Sequence, residues 1–390
     1  MDRSLKPSDR FDWTLSFLLL LFAIVSCTAI YSAQTLQQYD KNFLLMQIFW
    51  YGVGAFIAGV TMYFDSDQFR KLSWILYAFG ILLLVALALA PKEIAPVIKG
   101  AKSWFVIPGV GSIQPSEFVK VFLIMALSKL IASHHEKFIQ KTLKTDFYLL
   151  IKIGAVTALP LGLILVEDLG TALVIIAIML GIIFVSGISW KILLPIYSAG
   201  IGFAASVLYL VIWAPSIIEK YLKVDPYQFD RIYSWLDPES YGQSAGLQLL
   251  RSLQAIGSGL ITGKGVGDRQ VNIPDNHSDF IFSVIGEEYG FLGASVVISL
   301  FFLLIYHLTK TAMETKDPYN TYICTGIISM ITFHVFQNIG MTIQLLPITG
   351  IPLPFISYGG SSLMGNMFAM GLIFSTRFHH KTYMFSSDSQ

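Results

Sequence analysis

Apolar residues run along this chain in long unbroken blocks, not in the alternation of a half-buried strand or the stripe of a surface helix. Blocks long enough to cross a hydrocarbon core of about 30 Å cover residues 13–31, 44–64, 72–90, 116–132, 148–166, 170–186, 192–213, 280–308, 322–345 and 356–374, and they predict ten transmembrane helices. Several contain Gly or Pro, which membrane helices tolerate because neighbouring helices and polar side chains re-satisfy the freed backbone groups. The polar connections are short except for residues 214–278, a long loop between the seventh and eighth predicted helices. Within it, 241–260 set Leu247, Leu250, Leu253 and Leu260 among Gln248, Arg251 and Gln254, the pattern of an amphipathic helix lying on a membrane surface. The predicted fold is an all-α polytopic membrane protein, one integral membrane domain over residues 1–390.

Composition agrees with that pattern. With 54% hydrophobic residues, 13% charged and a mean hydropathy of +0.64, the chain has too little polar surface for a soluble globule of its length. Lys and Arg concentrate on one set of helix ends, including Arg3, Lys6, Arg10, Arg70, Lys71, Lys129, Lys137, Lys141, Lys144, Lys191, Lys310, Lys316 and Arg377, against Lys41, Lys92, Lys99, Lys102 and Lys120 opposite. The asymmetry predicts that both termini are cytoplasmic and that 214–278 is extracellular. No small-residue cleavage site follows the first apolar block, so residue 13 begins a span and not a secretory signal. Cys27 and Cys324 both fall inside predicted helices, which supports neither a disulfide framework nor a thiolate metal site. A formal charge of +1 favours no nucleic-acid partner.

Four polar clusters could carry chemistry. Glu117 and Lys120, spaced i and i+3 on the fourth predicted helix, form either an interfacial salt bridge or a charged pair placed to hold a phosphate or orient a carboxylate. Glu167-Asp168 lies in a tight connection where Asp168 is either a helix cap or a binding group. The outer segment carries Gly259, Gly263, Lys264 and Gly265, but the spacing fails every nucleotide-loop pattern, so no nucleotide is expected and the glycines are read as turning around a bound head group. The fourth cluster is Asp275, His277 and Asp279, continuing to Glu287 and Glu288. Carboxylates at a membrane boundary or inside it must be paired, protonated or facing a polar cavity, and they are functional-site candidates by default. Asp279 is read as a general base or as the N-cap of the eighth helix, His277 as a site residue or an interface hydrogen-bonder, and Asp275-x-His277-x-Asp279 as a weak metal signal. Residues 347–362, rich in Pro and Gly and including Ser357, cannot continue a helix and are expected to form one buried wall of the site.

The stretches KGAKSWF (99–105), QPSEFVK (114–120), EDLGTA (167–172), LQAIGSG (253–259), HSDFIFSVIGEEYGFLG (277–293) and PITGIPLPFISYGGSS (347–362) together resemble the SEDS family of bacterial cell-wall proteins, and within it RodA more than FtsW. Gly263-Lys264-Gly265 is closer to its RodA branch, whereas Trp235-Leu236-Asp237-Pro238 is closer to its FtsW branch. Arg251 and Asp275-Asn276 depart from the common pattern. The resemblance implies a peptidoglycan glycosyltransferase that polymerises lipid II, releases undecaprenyl pyrophosphate, and serves cell elongation and shape at the extracellular face of the plasma membrane. It implies a class B penicillin-binding protein and other elongation-complex proteins as partners, and a divalent cation, Mg or Mn, as a possible helper. The family's essential acid falls on Asp279, and its supporting charged pair on Glu117 and Lys120. Lys120, Arg231, Arg251 and Lys264 are then expected at the diphosphate, with Gln254, His277 and Ser357 at the substrate. A lipid II flippase or a non-catalytic scaffold would share the helices and the buried acids. The placement of the polar motifs on one side favours the enzyme.

Overall fold

The computed structural model describes residues 10–35, 42–98, 101–107, 111–213, 226–240 and 245–383. Arg3, Lys6, Lys41, Lys99 and the loop stretches 214–225 and 241–244 lie outside the described residues. Every predicted span is a helix. In chain order the helices are α1 (Trp13–Thr35), α2 (Phe43–Tyr63), α3 (Ser66–Leu89), α4 (Pro115–Lys137), α5 (Leu143–Leu165), α6 (Leu169–Val185), α7 (Trp190–Trp213), α8 (Pro226–Leu236), α9 (Ala245–Ser258), α10 (Ile281–Glu314), α11 (Pro318–Thr342) and α12 (Gly360–Tyr383). Helices α8 and α9 come from the long segment 214–278, α9 being the expected amphipathic helix. An unpredicted hairpin precedes α4: β1 (Phe105–Ile107) pairs antiparallel with β2 (Gly111–Ile113), with Phe105 opposite Ile113.

Among the described residues, seven helices (α1, α2, α3, α5, α7, α10 and α11) are long and apolar enough to cross a membrane. α6 is shorter, and α4 and α12 carry more polar residues because they are interior. α4 packs against α3, α5, α6, α11 and α12, and its residues 119–128 are all buried. A helix enclosed on all sides needs no polar face, so the lysine inside that stretch calls for a partner. Large apolar side chains on the outer helices, such as Phe17, Phe49, Phe56, Ile75 and Phe302, point outward as a lipid-facing surface would require. α7 buries only Leu193 and Val211, and its upper end is tied to α8 by the Tyr233 hydroxyl, which donates to the Val211 carbonyl at 2.8 Å.

At the other end of the bundle, Asp12 lies 2.7 Å from His307 Nε2 on α10 and 3.4 Å from Arg377 on α12. Burial pushes its carboxyl up, but the His307 hydrogen bond, the Leu15 N–H and the Arg377 charge outweigh it and hold the group below the usual carboxylate range.

α10 is broken. At Gly290 the backbone leaves helical geometry (φ 59°, ψ −155°), so the carbonyls of Glu287 and Glu288 lose Phe291 and Leu292 as donors. The amides of Lys264 and Gly265 take their place at 3.0 and 3.1 Å, while the amides of Phe291 and Leu292 donate to Leu260 and Ile261 at 2.9 and 3.1 Å. The glycine-rich loop is thus spliced into the helix. A β-carbon on Gly263, where φ is +80°, would sit 2.0 Å from the Glu288 carbonyl oxygen, and one on Gly259 would sit 1.9 Å from that of Gly286. These glycines therefore serve close backbone approach to α10, which replaces the expectation of a turn around a head group.

Candidate active site

The chain between α11 and α12 is non-helical, and α12 begins at Gly360, later than the predicted residue 356. Buried backbone needs partners, and side chains from three helices supply them. Gln337 Nε2 on α11 donates to the Pro347 carbonyl at 2.9 Å, and Asn338 Nδ2 to that of Ile351 at 2.8 Å. Tyr51 on α2 donates to Phe355, Ser26 on α1 to Ile356 at 2.8 Å, and Gln47 on α2 to Ser357 at 3.4 Å. The loop is a fixed wall.

Against that wall lies the segment leading into α10. The Ser357 hydroxyl donates to the Ser278 carbonyl at 2.6 Å and accepts the Leu353 amide at 2.8 Å. The Tyr358 amide donates to the His277 carbonyl at 2.9 Å, and the His277 ring stacks on Phe43 with centroids 4.3 Å apart. Asn338 Nδ2 also donates to the Asp279 carbonyl at 2.8 Å. The N-cap position of α10 is Phe280, so Asp279 stands one residue before the cap position. It is half-buried and faces the turn at Gly350 (φ +72°), where a β-carbon would come within 3.5 Å of its Oδ2.

The Glu117–Lys120 pair lies deeper than an interfacial bridge. Lys120 Nζ is 2.9 Å from Glu117 Oε1, with the two side chains 1% and 4% exposed. Its second neighbour is His334 Nε2 on α11, at 3.0 Å, and the other ring nitrogen lies 3.3 Å from the Pro352 carbonyl. The ammonium is enclosed by protein and does not face a phosphate from this position. Lys264 is likewise committed: its Nζ is 2.8 Å from Glu287 Oε1, which also accepts the amides of Gln270 and Val271 at 2.9 and 3.1 Å, with Arg269 Nε 3.7 Å from Oε2. Glu288 accepts the Ser32 hydroxyl and the Gly267 amide. Glu287 is ion-paired, and Glu288 is hydrogen-bonded through Oε1.

Among the remaining candidates, Arg251 is half-buried on α9 and donates to the Asn272 carbonyl at 2.7 Å, just upstream of Asp279. Gln254 is exposed one turn along α9, and Arg231 is half-buried on α8. Asp168 is a helix cap: it accepts the Thr171 amide at 2.9 Å and hydroxyl at 2.7 Å, and Gln114 Nε2 at 3.1 Å. Gln114 occupies the N-cap of α4 without a capping side-chain bond. Glu167 accepts the Lys102 amide at 2.7 Å, so two motifs far apart in sequence meet. Among the described residues no three His, Cys, Asp or Glu side chains converge.

His334 went unnoticed in the sequence. It stands with Gln337 and Asn338 at i, i+3 and i+4, a polar face on an otherwise apolar helix, and that spacing was its available signal.

Residues 9–382 match the family described as cell cycle protein, FtsW/RodA/SpoVE. The chain is 33% identical over 380 residues to the probable peptidoglycan glycosyltransferase FtsW of Trichlorobacter lovleyi, covering 94% of each. Its fold is similar to a chain of a peptidoglycan synthase complex described as coordinating polymerization and crosslinking (TM-score 0.74, 27% identity, 95% of this chain and 98% of that one). It is similar also to the crystal structure of the rod shape determining protein RodA of Thermus thermophilus (TM-score 0.68, 26% identity, covering 95% and 97%). Matched over residues 9–382, this multi-pass membrane protein belongs to the FtsW/RodA/SpoVE family.

Proposed function

We propose that this chain is a peptidoglycan glycosyltransferase that polymerises lipid II on the outer face of the plasma membrane, acting in the RodA manner during cell elongation with a class B penicillin-binding protein. The observation that carries the reading is the setting of Asp279, a half-buried carboxylate just ahead of the N-cap position of α10 that faces Gly350 on a wall bonded to three helices. Family membership, with relatives named as glycosyltransferases, supports it. The Asp279 carboxylate takes the proton of the acceptor sugar's 4-hydroxyl as that oxygen bonds to the donor's anomeric carbon. The bond from that carbon to the diphosphate breaks, and undecaprenyl pyrophosphate leaves. General-base assistance of this kind contributes about 10²–10⁴-fold. Lys120 and Lys264 are held by carboxylates, and Arg231 on α8 and Arg251 on α9 are the cations we assign to the diphosphate. Gln254, His277 and Ser357 shape the acceptor side.

The test is incubation of purified protein, alone and with its cognate penicillin-binding protein, with labelled lipid II, scored for glycan polymer on a gel. Polymer from the wild type and none from Asp279→Asn is expected. Transfer of lipid II across vesicles without any polymer would replace the enzyme with a flippase, and neither outcome would leave a scaffold.

A further inference from the structure

We infer that His334 is a positioning residue, coupling the buried Glu117–Lys120 pair to the wall that faces Asp279; the inference rests on the function proposed above. An ammonium group has only donors to offer. Lys120 Nζ, enclosed with Glu117 Oε1 at 2.9 Å, reaches His334 Nε2 at 3.0 Å, so that ring nitrogen must accept. The ring is then neutral with its proton on Nδ1, the nitrogen 3.3 Å from the Pro352 carbonyl. One ring thus accepts from the lysine and donates to the wall. One turn further along α11, Asn338 holds the carbonyls of Ile351 and Asp279, each at 2.8 Å. Two successive turns of one helix face therefore clamp Ile351, Pro352 and the backbone of Asp279, and the first of those clamps is set by the lysine's charge.

The arrangement explains how a pair sealed from substrate bears on the site. Lys120 fixes the tautomer of His334, and His334 fixes the depth of Pro352, two residues from the Gly350 turn opposite the Asp279 carboxylate. Loss of the clamp lets the wall and the base shift relative to each other, and a misplacement of about 1 Å at a reacting centre can cost about 10²-fold in rate.

The experiment compares wild type, His334→Leu and His334→Gln as full-length protein with the partner present, measuring kcat and KM for lipid II polymerisation together with thermal unfolding. Gln carries both an acceptor for Lys120 and a donor for Pro352, and Leu carries neither. The expected result is a Leu variant that unfolds near the wild-type temperature, loses about 10- to 100-fold in kcat with KM within about twofold, and is largely rescued by Gln. A folded Leu variant with wild-type kcat, or a Gln variant as damaged as Leu, overturns the inference. A second measurement needs no activity and no folded Leu variant: nitrogen NMR of wild type labelled at histidine, with the His334 signals assigned by their disappearance in the Gln variant. A neutral ring protonated on Nδ1 is expected, and a ring protonated on Nε2 or on both nitrogens overturns the inference whatever the kinetics. If the wild type makes no polymer at all, the functional reading falls, and the ring still decides the place of His334.

Discussion

Asp279 and Glu117 are carboxylates of one membrane protein in opposite surroundings: the first half-buried at a loop, the second 4% exposed beside a lysine. Asp279→Asn keeps the shape of the side chain and removes the base. It is expected to give folded, inserted protein whose polymerisation falls by about 10²–10⁴-fold, read on labelled lipid II, and near-normal polymer would end the catalytic assignment. For the buried pair, Glu117→Ala or Lys120→Ala strands a charge, and breaking a buried pair costs about 3–5 kcal/mol, so each is expected to lower the unfolding temperature sharply. The exchange Glu117→Lys with Lys120→Glu restores a pair but presents a carboxylate to His334, which must then donate from Nε2 where it had accepted, so the tautomer that serves Pro352 is no longer set by a lysine. Recovered stability with lost polymerisation is expected, and full activity would reduce the pair to a structural bridge. The pairing of these two residues was legible from their spacing on one helix. Their depth was not, because it is set by α11 and α12, which cover α4 from far along the chain, and His334 stands 214 residues from the lysine it contacts.

At the level of elements, length and hydropathy located all ten spans, since the cost of unpaired backbone in lipid forces any apolar run of that length into a helix. The same physics made the stretch 347–362 readable as a buried wall, although Gly360–Ser362 open α12 instead; of its partners, Ser26, Gln47 and Tyr51 sit singly in apolar helices where a lone polar residue carries no pattern, whereas Gln337 and Asn338 share the polar face of His334. The break in α10 was hidden for a related reason: Gly290 inside an apolar run looks like any tolerated glycine, and its meaning lies in the loop that fills the gap. That loop yields a controlled prediction. Gly263→Ala and Gly267→Ala both place a β-carbon at positive φ (+80° and +83°), which costs about 1–2 kcal/mol for an L-residue, but only Gly263 faces the α10 backbone, at 2.0 Å, while Gly267 has nothing within 4 Å. The Gly263 variant is expected to unfold at a clearly lower temperature than the Gly267 variant. Equal costs would show that the splice contributes nothing beyond the backbone strain.

At the scale of the whole molecule, everything proposed for Asp279 depends on which side of the membrane it occupies. The fold fixes relative sides. Asp12, just before α1, meets Arg377 near the end of α12 at 3.4 Å, so the two ends of the bundle lie together, as an even number of spans demands. Arg70 at the start of α3 pairs with Glu136 at the end of α4, which keeps the parity on that same side. Lys102 and Glu167 meet on the other, where α3 and α5 end and α4 and α6 begin. His307 approaches Asp12 near one end of α10, while Asp279 immediately precedes the other. Which side faces the cytoplasm rests on the excess of Lys and Arg around α3, α4, α5 and α12 at the Asp12 end. Sidedness is read in a Cys27→Ala, Cys324→Ala background with one cysteine introduced at Glu239 or at Lys144, both exposed and on opposite sides by this parity. Glu239→Cys is expected to react with a membrane-impermeant thiol reagent in intact spheroplasts, and Lys144→Cys only after permeabilisation. The reverse pattern would put Asp279 in the cytoplasm, away from any growing extracellular strand, and the polymerase reading would fall while the fold, the buried pair and the splice stood unchanged.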